Sequence, residues 1–594
     1  MSKGSLALIR LLAIVSCFLI ALIAVLVFVA GWAGEDEGFL YALWNSMSTV
    51  VNAWMPSYED GGAGYLILMS VAAIVGLLIT SVLIGIITSG IEEKITSLKR
   101  GTARVLEDNH FVILGFQRGE YTLLRQLVLA AGKRPCCIVV GDSIDTEDMI
   151  QHIKENVVHG DNIRIICRSV DIFDRVSLER LSLQTARTVM IHPMDDQKTI
   201  KALLVVSAII NDVGSRDVRV GAIVSKNEYR LPPSIAQKHN VTTLHTHDTI
   251  AKIIAHSCTQ PGLSSAFKEI FNFEGSEFYI INLPEAKEMT FAELQCRMDK
   301  GVPVGVHTDG KVRINPEPNM VLQIGDRILV FSEERDSAML IGGTDPVEDV
   351  QISALKNEAS PAGCVVIIGY SDTLDTVLQE LPTNVHKVLL AGVESHQMED
   401  AIEAASQREE LSVEFFNKKL KKKGALEELA LLADHIVVLS DHDIDEEEAD
   451  LKSIFIIMNL REIRMEKQLQ YNITVEMRRE HNQNLVVSDD NTDFVVSSSM
   501  SALFLAQLAE SPELSTAFKE LLSNDGNELY LIRAKDYKCT GKRTVMELRK
   551  HLMAHRLILI GYIDESDNSV FNPGLFDVLI LTDKDRLIVI GEDL

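Results

Sequence analysis

Two long runs of uncharged residues stand out at the start of the chain. Leu11 to Ala30 is a run of 20 residues, and Gly64 to Ile91 is a run of 28. At about 1.5 Å per helical residue, each run is long enough to cross a hydrocarbon core of roughly 30 Å. A signal peptide is the alternative for the first run, but its apolar region spans only about 7–15 residues. The pattern predicts two membrane-spanning helices.

The basic residues around these runs predict the orientation of the helices. Lys3 and Arg10 precede or open the first run, Lys94 and Lys99 follow the second, and no Lys or Arg lies between Arg10 and Lys94. Cytoplasmic flanks carry the excess of basic residues. Both termini are therefore expected in the cytoplasm, and the loop between the helices is expected outside.

The outer segment Gly38 to Pro56 is uncharged and mostly apolar with helical spacing, but it is too short to cross the membrane and return. A re-entrant helix followed by non-helical backbone fits, provided that this backbone is buried in protein or lines water. The alternative is a surface amphipathic helix anchored by Trp32, Trp44 and Trp54. On the re-entrant interpretation, the predicted filter consists of Thr49, Val50, Val51, Asn52 and Ala53.

Acidic and glycine residues complete the predicted pore. Five carboxylates flank the re-entrant segment and predict a cation-attracting outer vestibule: Glu35, Asp36, Glu37, Glu59 and Asp60. Rings of acidic side chains select cations. In the second helix, Gly76 and Gly85 are candidate bending points, with close helix packing as the alternative.

The remaining 486 residues contain a tandem repeat. Apolar strands followed by a glycine turn and a helix begin at Asn109 and at Ala362, so that Gly115 matches Gly369. Four further landmarks match in the same order at offsets of 251–259, among them Phe267 with Phe518. Matches at a fixed period indicate duplication.

Each repeat divides into two parts. The first part alternates strands and helices, which predicts a doubly wound parallel sheet. In the first repeat these predicted strands are FVILGF, CCIVVGD, IRIICRS, RTVMIHP and VRVGAIVS. The second part is rich in short strands and turns, which predicts a small α+β module. The segment Ser360–Gly363 is the predicted seam between the repeats.

Composition narrows the classes of partner. With 57 Lys+Arg and 84 Asp+Glu, the net charge of −27 argues against nucleic acid as a partner. The eight cysteines form no CxxC pair, so neither a zinc ribbon nor a disulfide framework is predicted.

The candidate nucleotide site is incomplete. A dinucleotide fingerprint needs glycines that let backbone N–H groups approach a pyrophosphate. The first repeat has Gly115 and Gly119, with Asp142 placed to meet a ribose hydroxyl, whereas the second repeat keeps only Gly369. The alternative is a fold relic in which glycine serves only the tight turn.

Two clusters suggest metal ions. Asp441, Asp443 and Asp445 lie in an acidic stretch that predicts a divalent-cation site or, alternatively, an acidic helix start. If His245 and His247 lay in one strand they would share a face and could meet one ion, but surface or structural histidines are the alternative. Nucleophile-elbow, HExxH and Walker A sequences do not occur, so the chain has no candidate catalytic residue.

Several segments resemble the Castor/Pollux family of ion channels. They are Ile91 to Arg100, Asn109 to Gly115, Ile166 to Ser169, the QPGL sequence at Gln260, and FEGSEFY at Phe273. The resemblance runs from about Leu40 to the C-terminus. It implies a tetrameric cation channel whose RCK-type (regulator of conductance) repeats form a cytoplasmic ring, with potassium and calcium both implicated. The potassium-filter sequence TVGYG is absent, and Asn52 stands where plant members have an acidic residue.

The sequence thus predicts an α-helical pore followed by tandem Rossmann-like RCK domains, each with a small α+β subdomain. The expected boundaries are residues 1–33, 34–63 and 64–108 for the first helix, the re-entrant segment, and the second helix with its linker. The repeats are expected at 109–358 and 359–594, with subdomains from 260 and 509. The predicted protein is a prokaryotic-type homotetramer in a bacterial inner membrane, with a nucleotide or divalent cation as gating ligand. A membrane-anchored NAD-dependent enzyme and an accessory regulator are the alternatives.

Overall fold

The chain forms two compact units, Met1–Ala103 and Arg104–Leu594. The computed structural model describes residues 5–32, 38–52, 55, 61–99, 103–116, 121–192, 195–212, 218–224, 241–308, 311–342, 362–393, 395–406, 408, 411–418, 420, 423–486, 491–521 and 526–592.

The first unit contains two long apolar helices and a shorter one between them. The helices are α1 (Ser5–Val29), α2 (Phe39–Asn52) and α3 (Ala63–Lys99). Within them, Arg10–Val29 and Ala63–Ile91 are long and apolar enough to cross a membrane. The two uncharged runs are therefore helical, as predicted. At about 1.5 Å per residue, α3 reaches roughly 55 Å, well beyond the hydrocarbon thickness.

The first repeat contains a parallel sheet. Its described strands are β1 to β6, ordered β3-β2-β1-β4-β5-β6. This is the doubly wound order, in which helices cover both faces. Their bounds are Phe111–Leu114, Cys136–Asp142, Ile163–Ser169, Thr188–Ile191, Arg219–Val224 and Val241–His245. The helices between them are Thr122–Ala131, Thr146–Asn156, Arg175–Leu178 and Asp196–Asp212. The sequence predicted the first five strands; β6 is additional.

The second repeat has the same sheet. Its described strands run in the order β15-β14-β13-β16-β17-β18, which is the first order shifted by twelve. This match confirms the tandem architecture. The bounds from β13 to β18 are Ala362–Ile368, Val385–Ala391, Ser412–Phe416, His435–Val438, Asn472–Met477 and Thr492–Val496. The helices are Leu374–Glu380, Ser395–Ser406, Lys423–Ala430, Glu446–Lys467 and Glu480–Gln483.

Each repeat ends in a small α+β module, as predicted. The described strands of the first module form the sheet β10-β9-β11-β7 and the pair β12-β8, and those of the second form β19-β24-β21-β22 and β20-β23. Strands β7 to β12 are Glu277–Ile281, Met298–Asp299, Val302–Thr308, Lys311–Ile314, Arg327–Ser332 and Met339–Leu340. Strands β19 to β24 are Asn527–Arg533, Gly541–Thr544, Ile558–Ile563, Ser569–Phe571, Val578–Leu581 and Arg586–Glu592.

One helix in each module starts with the same reciprocal cap. Thr290 and Glu293 form a capping box at Phe291–Arg297, and Thr544 and Glu547 form one at Val545–Met553. Each box satisfies two backbone N–H groups at the helix start. The equivalent positions lie 254 residues apart (544 − 290), the same offset as Gly115 and Gly369.

The two repeats exchange a helix. Thr246–Thr259, the first exchanged helix, belongs to the first repeat but buries Ile250, Ile253 and Ile254 in one cluster with Val365 and Ile367 of the second sheet. Burying a side chain of this size contributes about 1.5–3 kcal/mol relative to leaving it exposed.

The reverse exchange uses Ser497–Glu510, the second exchanged helix. Its residues Ala502 and Leu505 pack in one cluster with Phe111 and Ile113 of the first sheet. At its end, Arg134 and Arg187 both pair with Glu510, at 2.7 and 3.1 Å. Neither repeat can therefore leave the other without exposing part of its own core.

The QPGL segment follows the first exchanged helix and joins the two repeats. Gln260 Oε1 accepts a hydrogen bond from Leu531 N at 2.8 Å, and Arg586 donates to the carbonyl of Pro261. Gly262, at φ +90°, donates its N–H to Asp493 Oδ2 at 2.7 Å. Burial raises the pKa of Asp493 to about 6, while the Gly262 hydrogen bond acts in the opposite direction. The segment is thus a backbone connector, and Gly262 supplies a left-handed conformation that other residues disfavour.

This geometry predicts the effect of Gly262→Ala. A Cβ would meet no atom closer than 3.4 Å, so the cost comes from the positive φ and amounts to about 1–2 kcal/mol. We expect a lower midpoint in thermal unfolding of the full-length protein, followed by circular dichroism. Gly424→Ala, in the helix Lys423–Ala430 with open space around it, is the matched control and should be neutral or stabilising. Equal effects of the two substitutions would contradict the role of Gly262.

Candidate functional site

Helix α2 is held between the two long helices of the first unit by polar and apolar contacts. Asn45 Nδ2 donates to the Tyr65 hydroxyl at 2.8 Å, which ties α2 to α3. Ala42, Ser46, Thr49 and Val50 are buried along one face. These contacts account for a short helix that stays packed although it cannot span a bilayer.

Four of the predicted filter residues, Thr49 to Asn52, lie in the last turn of α2. The predicted helix up to Val51 is confirmed, whereas the non-helical backbone expected around Asn52 is still helical at Asn52 itself. Thr49 Oγ1 donates to the Asn45 carbonyl at 2.9 Å, a bond within the helix. Asn52 Nδ2 donates to Ser48 Oγ at 3.3 Å. The Thr-Val-Val run stays helical because its buried members pack against the neighbouring helices. Ala53 lies outside the described residues.

The carboxyl end of α2 has chemistry suited to cations. The last carbonyl groups of a helix carry a partial negative charge, which favours a nearby cation. Val51 is 64% exposed in the single chain, and Asn52 is also exposed at this end. The predicted vestibule carboxylates, Glu35, Asp36, Glu37, Glu59 and Asp60, lie outside the described residues.

Gly76 has a different role from the predicted bending point. A Cβ at this position would overlap the carbonyl oxygen of Val50, so glycine allows the end of α2 to approach the α3 backbone. Gly85 has no atom within 4 Å of its Cβ position. Both residues lie inside the continuous helix α3. The packing alternative thus fits Gly76, whereas a bending role of Gly85 remains a prediction.

Gly76→Ala should displace the end of α2. The obstacle is a backbone carbonyl, which cannot rotate away, and overpacking of this kind costs about 1–3 kcal/mol. We expect altered or lost current in planar-bilayer recordings and a lower unfolding midpoint. Gly85→Ala, in the same helix with open space at its Cβ position, should not lower the unfolding midpoint. Identical behaviour of the two alanine variants would show that the α2–α3 contact does not control this site.

The aspartate predicted to meet a ribose hydroxyl in the first repeat is bonded to the glycine turn. Gly115 adopts φ +94°, as a tight turn requires, and its N–H donates to the Gly141 carbonyl at 2.9 Å. Asp142 Oδ2 accepts the next N–H, from Phe116, at 2.6 Å, and Oδ1 accepts from Ser143 Oγ at 3.0 Å. Asp142 therefore already binds the turn, and Gly119 lies outside the described residues.

The corresponding glycine of the second repeat serves the turn. Gly369 has the same φ of +94°, and a Cβ there would lie 2.9 Å from the Leu439 carbonyl oxygen. Its N–H donates to the Ala391 carbonyl at 2.9 Å. These contacts match the fold-relic alternative for this repeat.

The acidic stretch forms a helix start. Asp441 Oδ1 accepts the Asp443 N–H at 3.1 Å, and Asp445 caps Glu446–Lys467 by accepting the Glu447 N–H at 3.0 Å. Carboxylates favour the first helical turn because of its positive partial charge. Among the residues that the structure describes, no group of three His, Cys, Asp or Glu could hold a metal ion. The helix-start alternative accounts for Asp441, Asp443 and Asp445.

His245 and His247 do not share a strand face, so that premise of the sequence analysis is wrong. Strand β6 ends at His245, and the first exchanged helix begins at Thr246. His247 lies instead beside His442 of the second repeat, with ring centroids 5.5 Å apart. Because the helix begins at Thr246, His245 and His247 do not lie on one face as they would in a continuous strand.

Sequence analysis missed two polar contacts, one between Asn45 and Tyr65 and one at the buried Glu476. Asn45 and Tyr65 are ordinary in an apolar segment, and only the fold reveals their bond. Glu476 is fully buried in β17 and accepts hydrogen bonds from the backbone of Ser440 and the ring of His442. Its signal was a single carboxylate inside an apolar strand sequence, because such a group needs partners when buried.

Comparison with known proteins identifies the relatives of this chain. Residues 247–346 match the family model described as "Castor and Pollux, part of voltage-gated ion channel". The chain is similar to the Castor and Pollux ion channels. The match covers the first exchanged helix, the QPGL segment and most of the first small module, so the predicted resemblance is confirmed.

Full-length relatives agree with this assignment. The ion channel DMI1 of Medicago truncatula is 25% identical over 90% of this chain and 66% of its own length. The ion channel CASTOR of Lotus japonicus is 25% identical over 91% of this chain and 69% of its own length. The chain thus spans about two thirds of the length of these relatives.

A solved structure supports the fold of the repeats. The human SLO3 gating ring aligns with 81% of this chain and 99% of its own, at 12% identity and a TM-score of 0.54. At that identity the similarity concerns the fold alone, and it agrees with the predicted fold of the two repeats.

Proposed function

We propose that the chain is the subunit of a homotetrameric cation channel whose cytoplasmic RCK-type repeats control a two-helix pore. The observation that carries this proposal is the short helix α2, pinned between two helices long enough to span a membrane. The matched relatives are named ion channels, which supports the class. In this proposal, the expected domain boundaries hold and both termini are cytoplasmic in a bacterial inner membrane.

The short length of α2 supports assembly with other copies. Its 14 residues reach only about 21 Å, and the chain must return from that depth. Returning backbone is tolerated inside a membrane only where it is buried in protein or lines water. Four copies around an axis would supply both environments.

The cytoplasmic unit also carries a surface suited to assembly. The helix Glu446–Lys467 exposes an apolar stripe at helical spacing, with Leu451, Phe455, Met458 and Met465 between 45% and 73% exposed. Contiguous apolar surface of this kind marks a protein contact. We propose that a second copy of the chain covers the stripe.

Cross-linking of the full-length protein in detergent should yield a species of four 65.9 kDa chains. Phe455→Glu should lower the tetramer fraction, because a charge in an apolar contact is desolvated without a partner. Val158→Glu places the same charge at another exposed apolar residue of the same unit, outside the stripe, and should leave the fraction unchanged. A folded, monodisperse monomer of the unmodified chain would overturn the tetrameric pore.

We propose that cations, potassium or calcium, pass the carboxyl end of α2. In the tetramer, the four Asn52 side chains would form a ring of neutral amides. The five vestibule carboxylates of each chain would favour cations over anions, and their attraction would fade over a Debye length of about 8–10 Å. A gating ligand, either a nucleotide or a divalent cation, would act by binding one arrangement of the repeats more tightly than another.

Asn52→Asp tests the position of the filter. Four added carboxylates in a tetramer raise the field at the narrow part, so permeability to divalent cations relative to monovalent cations should rise, or divalent cations should block. Reversal potentials in bilayer recordings measure this ratio. Asn156→Asp, which adds the same charge to an exposed helix end in the other unit, should not change it.

Unchanged ratios for Asn52→Asp, or permeation by chloride, would show that the filter lies elsewhere. The same recordings distinguish the alternatives. A membrane-anchored NAD-dependent enzyme or an accessory regulator would give no current from the purified protein alone.

A further inference from the structure

Tyr65 lies where the three helices of the first unit meet. Its side chain is 8% exposed and belongs to one buried cluster with Val27 of α1 and with Ala42 and Val50 of α2. Its hydroxyl accepts a hydrogen bond from Asn45 Nδ2 at 2.8 Å. This bond joins the middle of the short helix α2 to the first turn of α3.

The Tyr65 ring is held in place by contacts other than this bond. A Cβ at Gly61 would lie 2.7 Å from the ring, so the chain that leads into α3 lies directly against it. A Cβ at Gly64 would lie 2.6 Å from the ring of Trp32, so the start of α3 also lies against the turn that follows α1. The hydroxyl is therefore a preorganised acceptor for α2, because its own position is fixed by packing.

The bond to Asn45 acts on the end of α2 where the filter is proposed. Asn45, Thr49 and Asn52 are spaced by four and three residues, so they lie on one face of the helix. The Asn45 carbonyl accepts the Thr49 hydroxyl at 2.9 Å. Asn52 lies two helical turns beyond Asn45, about 10 Å along the axis. The helix is continuous over this distance, so a shift at Asn45 displaces its carboxyl end.

Selection among cations is sensitive to such a displacement. In the proposed tetramer, a radial shift of about 1 Å in each α2 would change the separation of opposite copies by about 2 Å, whereas functional sites need their groups placed to within about 0.5 Å. Oxygen ligands hold Ca²⁺ at about 2.3–2.6 Å, a range that is narrow compared with this change. The fit of the narrow part to an ion thus depends on where α2 is held.

We propose that Asn45 and Tyr65 are positioning residues for the filter. Their hydrogen bond fixes the position of the carboxyl end of α2, and thereby determines how well the pore distinguishes calcium from potassium. This inference rests on the proposed channel function and deepens it. The close approach of Gly76 to the Val50 carbonyl is a second attachment of α2 to α3, nearer the filter.

A hydrogen bond between membrane helices also stabilises the fold, so the test has to separate the two effects. Tyr65→Phe and Asn45→Leu each remove one partner of the bond and keep the approximate size of the side chain. Each leaves the other partner without this bond in apolar surroundings, which is destabilising, whereas replacing both partners by apolar groups of similar shape is nearly neutral. The double variant should therefore regain stability without regaining the bond.

Two measurements on the full-length protein are needed. Reversal potentials in planar bilayers give the permeability ratio of Ca²⁺ to K⁺, and cross-linking after heating in detergent gives the stability of the tetramer. In both single variants, the ratio should move toward one by about threefold, the factor that corresponds to the average strength of a hydrogen bond between membrane helices. The double variant should keep this shift although its tetramer is as stable as that of the unmodified protein.

Tyr41→Phe, which removes an exposed hydroxyl from the same helix α2, is the matched control and should change neither quantity. A permeability ratio that recovers together with stability in the double variant would show that the bond is only structural, and would overturn the inference. An unchanged ratio in the variants, or the same shift in Tyr41→Phe, would also overturn it. Absence of current from the unmodified protein would contradict the proposed function itself, so the two failures are distinguishable.

Discussion

The burial of two exchanged helices is the constraint on which the fold of the second unit, Arg104–Leu594, depends. Each repeat supplies a helix that the other sheet needs to cover its apolar face, so the two cores are completed together. Burial of apolar surface is the dominant favourable contribution to folding. The polar contacts between the repeats depend on this packing. Asp493, Glu510 and Arg586 reach their partners in the first repeat only when each exchanged helix lies on the other sheet.

At the contact between the two small modules, backbone carbonyls bind a buried arginine through one of its nitrogens, Nη1. Arg549, in the capped helix of the second small module, is fully buried and donates to the carbonyls of Met298 and Gly301 at 3.1 and 3.3 Å. Burial lowers its pKa to about 10, which still leaves it charged at neutral pH. The Arg549 guanidinium of the second module thereby binds two backbone carbonyls of the first module. These hydrogen bonds hold the two modules in one relative arrangement.

Most of the fold could be predicted from local sequence patterns. The features that could not be predicted depend on contacts between residues distant in sequence. The uncharged runs marked α1 and α3, and apolar strands with glycine turns marked both sheets, because these signals arise within a few neighbouring residues. The exchange of helices has no signal in the local sequence. The contacts of Gly76 with Val50 and of His247 with His442 likewise join residues distant in sequence, so they could be recognised only in the folded chain. The contact of Asp142 with a ribose hydroxyl stays a prediction, and the bond of Asp142 to the turn depends on the register of β1 against β2.

Asp142 occupies the first backbone N–H after the glycine of the crevice turn, because its Oδ2 accepts from Phe116 at 2.6 Å. A ligand that binds this N–H must therefore compete with a carboxylate that the fold already holds in place. Displacement of the carboxylate would leave the Gly115 N–H bonded to the Gly141 carbonyl, so the end of β2 would stay attached to the turn after β1. The turn can thus change the partner of one N–H group and keep the edge of the sheet intact.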